Sequence, residues 1–235
     1  MNKLLITLFA LAVASVTAQA QQAAAPAPAA QKAAAPAAPA GAKSIEAKVA
    51  MCIGCHGIPG YQASFPEVHK VPMISGQGAK YIAAALTAYK NGDRKHPTMR
   101  GIAQSLSEQD INDIAGYYEQ HGKESAKALA EKPSRDPSPQ VAALLQKAAC
   151  ASCHGANLSK PIDPSYPKIA GQHADYMFVA LKAYKDDARN ATVGRNNAVM
   201  GAIAKQFSNA ELKALAAYVA SLDGELKVKP ENKFR

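Results

Sequence analysis

Two stretches of the form Cys-x-x-Cys-His constrain this chain more than any other feature. Cys52-Ile53-Gly54-Cys55-His56 and Cys150-Ala151-Ser152-Cys153-His154 hold all four of its cysteines. They mark equivalent points of an internal repeat. Pro72-Met73-Ile74-Ser75-Gly76-Gln77 matches Pro167-Lys168-Ile169-Ala170-Gly171-Gln172, and Ala88-Tyr89-Lys90 matches Ala183-Tyr184-Lys185. After a longer loop in the second copy, Met99 with Ile102, Ala103 and Ser107 matches Met200 with Ile203, Ala204 and Ser208. Two copies are too few for a solenoid, which needs at least about three repeats to bury its faces. They predict two similar globular domains, residues 43–135 and 136–235. The boundary falls in Lys132-Pro133-Ser134-Arg135-Asp136-Pro137-Ser138-Pro139, where three prolines exclude a continuous helix.

Each copy reads as all-α. Tyr81, Ile82, Ala85, Leu86 and Tyr89 share one helical face, as do Tyr176, Ala180, Leu181 and Tyr184. Ser107-x-x-Asp110 and Ser208-x-x-Glu211 are capping-box starts. Asn91-Gly92, His121-Gly122 and Asp223-Gly224 read as helix ends. A shorter helix is expected to lead into each cysteine motif, from about Ser44 and from about Gln140, and no strand alternation stands out.

The spacing Cys-x-x-Cys-His reads as covalent attachment of a c-type haem. Two thiols three residues apart at the end of a helix reach vinyl groups on one edge of a porphyrin, and the histidine that follows falls beneath the iron. Competing readings are a four-cysteine zinc site, redox disulfides and structural disulfides. Zinc does not require a histidine directly after both pairs, and a thioredoxin-like disulfide needs a βαβ context that is missing. The cofactors expected are therefore two haems, bound through Cys52, Cys55, Cys150 and Cys153, with His56 and His154 as proximal ligands. A porphyrin would also supply the apolar core that a chain without Trp lacks.

Symmetry selects the distal ligands. Met1 lies in the leader, Met51 adjoins Cys52, and neither Met73 nor Met177 recurs in the other copy; an isolated methionine of this kind fills a core gap. Only Met99 and Met200 match, so they are the expected partners of His56 and His154. His69, His96, His121 and His173 do not recur, which disfavours bis-histidine ligation. His/Met ligation closes both axial positions and raises the reduction potential, a state suited to passing electrons rather than to binding oxygen.

Lys3, the apolar run from Leu4 to Val16 and Ala18-Gln19-Ala20 read as a secretory signal over residues 1–20, and the apolar run is too short to span a bilayer. Residues 21–42 are mostly Ala and Pro with one charge, Lys32, and read as a tether. The net charge of +9 is spread over both halves without a dense basic run, which disfavours nucleic acid as a partner.

With these motifs together, the chain resembles the cytochrome c4 family of di-haem class I cytochromes c, from Lys43 to about Leu222. The resemblance implies two tandem all-α cytochrome c domains in a pseudo-symmetric pair and a periplasmic location with peripheral membrane association left open. It implies an electron carrier, not an enzyme, between a quinol-oxidising cytochrome bc complex and a terminal oxidase. Similar cytochromes also serve as electron-acceptor subunits of flavoprotein dehydrogenases of the sulfide dehydrogenase type, which is the alternative. The resemblance further implies that the Pro72 and Pro167 carbonyls accept from His56 and His154; Arg94 and Arg189, which match each other, are candidates for contact with haem propionates, against the default of an exposed surface arginine for either. The tether and the tail from Glu225 to Arg235 depart from the family pattern.

Overall fold

A computed structural model describes residues 43–123, 128–186 and 192–231. The expected signal segment (1–20), the tether (21–42) and Arg189 lie outside the described residues. Ser44 starts helix α1 (Ile45–His56) by accepting a hydrogen bond from the Ala47 N–H, which satisfies one of the donors a helix start leaves open. A hairpin of two-residue strands, β1 (Gln62–Ala63) and β2 (His69–Lys70), precedes α2 (Ala79–Asn91). Gly92 ends α2 with φ 85°, the left-handed conformation that glycine adopts at no steric cost. Strand β3 (Arg94–Lys95), α3 (Pro97–Gln104) and α4 (Glu108–Gln120) complete the first half.

The second half repeats the order with α5 (Pro139–Ala148), α6 (Ala151–His154), α7 (Ala174–Asp186), β4 (Gly194–Arg195), α8 (Ala198–Ala204) and α9 (Asn209–Ala220). Both capping boxes form reciprocally, Ser107 with Asp110 and Ser208 with Glu211. The helix into the second motif starts at Pro139, beside the expected Gln140 and behind the Ser138 cap, because proline at the first helical position has no N–H to leave unsatisfied. Two details differ from expectation. That helix stops at Ala148, Ala149 turns left-handed (φ 49°), and the motif continues on its own turn, α6. Helix α9 ends at Ala220 rather than at Asp223-Gly224. Gly224 is needed for another reason, since a Cβ there would stand 2.0 Å from the Ala170 carbonyl oxygen.

Each half has its own core. Val49 and Ile53 of α1 meet Ile82 and Leu86 of α2 and Ile111 and Ile114 of α4. In the second half, Leu144 and Ala148 pack with Phe207, Leu212 and Leu215, and Met177 packs with Ala216 and Val219. Each fully buried Leu or Ile contributes about 1.5–3 kcal/mol. Met177 is thus a core side chain, as its lack of a counterpart suggested.

The halves are tied to each other at several places. Strand β3 pairs antiparallel with β4, Arg94 opposite Arg195, and the Lys70 N–H donates to Asp175 of α7 at 3.0 Å. The chain also crosses over at its two loose ends. The segment before α5 lies on the second half, where Asn157 donates to the Ala130 carbonyl at 2.7 Å and Tyr218 to the Arg135 carbonyl at 2.9 Å. The tail returns to the first half, where the Lys227 N–H donates to the Ser75 carbonyl at 3.0 Å and Leu226 is buried.

Candidate functional site

His56 closes α1 and His154 closes α6, so the two imidazoles stand at equivalent helix ends. His56 Nδ1 lies 2.8 Å from the Pro72 carbonyl oxygen and His154 Nδ1 lies 2.9 Å from that of Pro167. A carbonyl only accepts, so each Nδ1 carries the proton and each Nε2 keeps a lone pair for a metal. Burial lowers the pKa of both imidazoles, against the opposing pull of the carbonyls, and the charge of Arg94 lowers His56 further. Both rings are therefore neutral and oriented.

Met99 and Met200 sit in the first turns of α3 and α8. The two helices start alike: His96 Nδ1 accepts from the Met99 N–H at 3.4 Å, and Asn197 Oδ1 accepts from the Met200 N–H at 2.9 Å. A continuous, largely apolar cavity of about 550 Å³ is bordered by Cys52, Cys55, His56 and Met99 from one half and by Cys150, Cys153, His154 and Met200 from the other. Its size is that of a cofactor pocket, about 300–1,000 Å³. Met51, Met73 and Met177 border it too, but Met51 is exposed and Met177 belongs to the core.

The cysteines are not joined to one another, and among the described residues no three His, Cys, Asp or Glu side chains gather as a metal site. Burial pushes the Cys52 thiol up to about 11 and raises that of Cys150. A zinc site needs thiolates. Two separate pairs of partly buried thiols, each followed by an oriented histidine and facing an apolar cavity, suit thioether attachment instead.

A cluster between the halves completes the site. Arg94 and Arg195 are each 8% exposed. Both donate to the Tyr176 hydroxyl, at 2.7 and 3.1 Å. Arg94 lies over the ring of Tyr89 at 4.7 Å and Arg195 over that of Tyr184 at 5.2 Å, equivalent tyrosines of α2 and α7. No carboxylate pairs with either guanidinium among the described residues, and Arg94 Nε has no partner. Buried charges left unpaired cost several kcal/mol. Burial opposes ionisation of Tyr176, yet Arg195 and Arg94 outweigh it and bring the phenol down to about 8. Among the described residues no carboxylate offsets this positive potential, and both arginines border the cavity. A ligand that brings carboxylates beside an apolar ring fits this arrangement, which is the description of a haem with its propionates.

The residues expected from sequence converge here, apart from Arg189, which lies outside the described residues. The residue opposite Arg94 is Arg195, which the repeat alignment did not single out because the loop before β4 is longer than its counterpart. Also unassigned from sequence were Gln77 and Gln172, although their recurrence in both copies was visible.

The family model for cytochrome c matches residues 139–223. Cytochrome c4 of Stutzerimonas stutzeri is 30% identical over 192 residues, covering 77% of this chain and 89% of that protein. The thiosulfate dehydrogenase electron acceptor of Thiomonas intermedia (strain K12) is 28% identical over 197 residues, covering 78% and 83%. The crystal structure of reduced recombinant cytochrome c4 from Pseudomonas stutzeri matches with a TM-score of 0.54 and 26% identity, over 76% of this chain and 97% of that one. The mostly helical fold agrees with these relatives, and identity and coverage place the chain: it belongs to the cytochrome c4 family, electron carriers with two covalently bound c-type haems.

Proposed function

We propose that this protein carries single electrons in the periplasm from a quinol-oxidising cytochrome bc complex to a terminal oxidase. In this reading residues 43–135 and 136–235 are two cytochrome domains, each with one haem attached through Cys52 and Cys55 or Cys150 and Cys153. His56 and Met99 ligate the first iron, His154 and Met200 the second. The observation that carries the reading is the repetition in each half, around one cavity, of a cysteine pair, a carbonyl-oriented histidine and a methionine on a capped helix.

The haem supplies a one-electron couple. The chain's residues keep that couple simple. Pro72 and Pro167 fix the imidazole rings, Met99 and Met200 would complete the hold on each iron, and the apolar walls exclude water. Held in this way, each haem would have no position open for substrate and would serve electron transfer alone. Arg94 and Arg195 would receive propionates and neutralise their charge between the halves. The basic Lys3, the apolar run Leu4 to Val16 and Ala18-Gln19-Ala20, read as an export signal, support the periplasmic assignment. Among the described residues no helix is long and apolar enough to cross a membrane.

The similarity to a thiosulfate dehydrogenase electron acceptor supports a second reading, in which the partner that reduces this chain is a dehydrogenase rather than a quinol-oxidising complex. Stopped-flow mixing separates the two. The oxidised holoprotein should be reduced by purified bc complex with quinol and reoxidised by catalytic amounts of oxidase. Failure with both, together with rapid reduction by a co-purifying dehydrogenase, would replace the first reading by the second.

A further inference from the structure

The glutamines that end the repeated Pro-x-Ile-x-Gly-Gln segments reach across to the opposite half. Gln172 Oε1 accepts from the Met73 N–H at 3.0 Å, and its Nε2 donates to the Met73 carbonyl at 2.9 Å. Gln77 does the same in the other direction, accepting from the Lys168 N–H at 3.0 Å and donating to the Lys168 carbonyl at 2.9 Å. Each Oε1 also takes the N–H of the next residue in its own half, Gly78 or His173, at 3.0 Å. Both glutamines are 4% exposed, and each pairs its oxygen and one N–H of its amide with protein backbone, as burial of an amide requires.

Met73 and Lys168 are the residues that follow Pro72 and Pro167. The Pro72 carbonyl and the Met73 N–H therefore belong to one peptide unit, and so do the Pro167 carbonyl and the Lys168 N–H. One side of each unit accepts the Nδ1–H of a histidine in its own half. The other side donates to the glutamine of the opposite half. Hydrogen bonds in such a chain polarise one another, by roughly 10–30% per bond. A glutamine oxygen on the N–H side makes the carbonyl a stronger acceptor, which makes the imidazole more basic. A more basic axial imidazole stabilises the ferric state.

We propose that each half tunes the haem of the other: Gln172 sets the basicity of His56, and Gln77 that of His154, through the single peptide unit between them. This rests on His56 and His154 being axial ligands. Both glutamines border the cavity, but neither hydrogen-bonds to His56 or His154, and they act as positioning residues through the peptide units between. The same bonds hold the halves together, so a loosened interface and a changed electronic effect must be told apart.

The test is potentiometric titration of the full-length holoprotein, with the two haems assigned to their halves by proton NMR. Gln172→Met removes the acceptor beside Met73 and is expected to raise the potential of the first haem more than that of the second. Gln77→Met is expected to do the reverse. Gln172→Glu keeps an acceptor and adds negative charge, so it is expected to lower the first potential. A purely structural clamp would move both haems together, and in one direction for the Met and Glu variants. If Gln172→Met does not retain both haems, Gln172→Glu and Gln77→Met carry the comparison. The proposal is overturned if each variant acts mainly on the haem of its own half, if the Met and Glu variants shift alike, or if neither potential moves. Error in the underlying ligand reading shows separately, as absence of His/Met ligation in the NMR spectrum of the unsubstituted protein.

Discussion

Arg94 and Arg195, one from each half, face each other across the β3–β4 pair and donate to the same phenolic oxygen, that of Tyr176. Two buried guanidiniums on one phenolic acceptor favour an anion nearby, the role proposed above for haem propionates. A positive charge close to a haem disfavours the ferric state. Arg94→Gln and Arg195→Gln are each expected to lower at least one haem potential. The effect should be on the order of tenfold in the one-electron equilibrium, about 59 mV. Spectroelectrochemical titration reads the shift; unchanged potentials in both variants would mean that the arginines face no propionate.

Acid should unfold the first half before the second. Lys48 of α1 pairs with Asp110 at 2.9 Å and with Asp113 of α4 at 2.5 Å, joining the helix of the first cysteine motif to the capping box. Hydrogen bonds from Ser107 and then Lys48 hold the Asp110 carboxyl well below its ordinary range, and the hydrogen bond from Lys48 lowers that of Asp113. A depressed carboxylate stabilises the fold above its unfolded pKa, about 3.9. That contribution is lost as pH falls through the lower folded values. The second half has Gln146 and Ala214 where Lys48 and Asp113 stand. Thermal midpoints measured from pH 6 downward, with each domain followed by NMR, should fall first in residues 43–123. Lys48→Met should flatten that fall.

What the sequence made legible was local. Capping boxes, the Gly92 stop and the shared apolar faces depend on residues a few positions apart, and the cysteine motif on its own spacing; the carbonyls that orient its histidines, 16 and 13 residues on, came from the family resemblance. What it hid was pairing between halves. Strands β1 to β4 are two residues long, too short for alternation to register. The partner of Arg94 depends on how the longer loop before β4 folds, which helical periodicity does not fix, and the repeat offered Arg189 instead of Arg195. Gln77 and Gln172 recurred plainly, but nothing in their segment says that a buried amide meets the backbone of the other copy. The break at Ala149 was hidden for another reason: an alanine carries no sign that it will turn left-handed.

The C-terminal tail should brace the first half against the second. Leu226 is 4% exposed, Lys227 bridges to Ser75, and Lys168 pairs with Glu225. A Cβ on Gly76 would meet the Glu225 carbonyl oxygen at 2.8 Å. Leu226→Ala is expected to cost about 2–3 kcal/mol, the lower part of the range for buried Leu→Ala changes. Gly76→Ala should displace the tail, since it meets both that clash and a φ of 85°. Chemical denaturation measures the first, and protection of the Lys227 N–H from hydrogen exchange measures the second. Wild-type stability in both variants would show that the tail does not brace the halves.

The most direct measurement on the central claim, one closed His/Met haem in each half, is the proton NMR spectrum of the reduced holoprotein compared with its Met99→Ala and Met200→Ala variants. A methionine methyl bound to ferrous haem iron lies in the ring current and moves far upfield of every other methyl signal. The expected result is two such methyl signals, one lost in Met99→Ala and the other in Met200→Ala, each variant keeping both haems covalently attached. A single signal, none, or loss of a signal on changing Met73 or Met177 instead would contradict it.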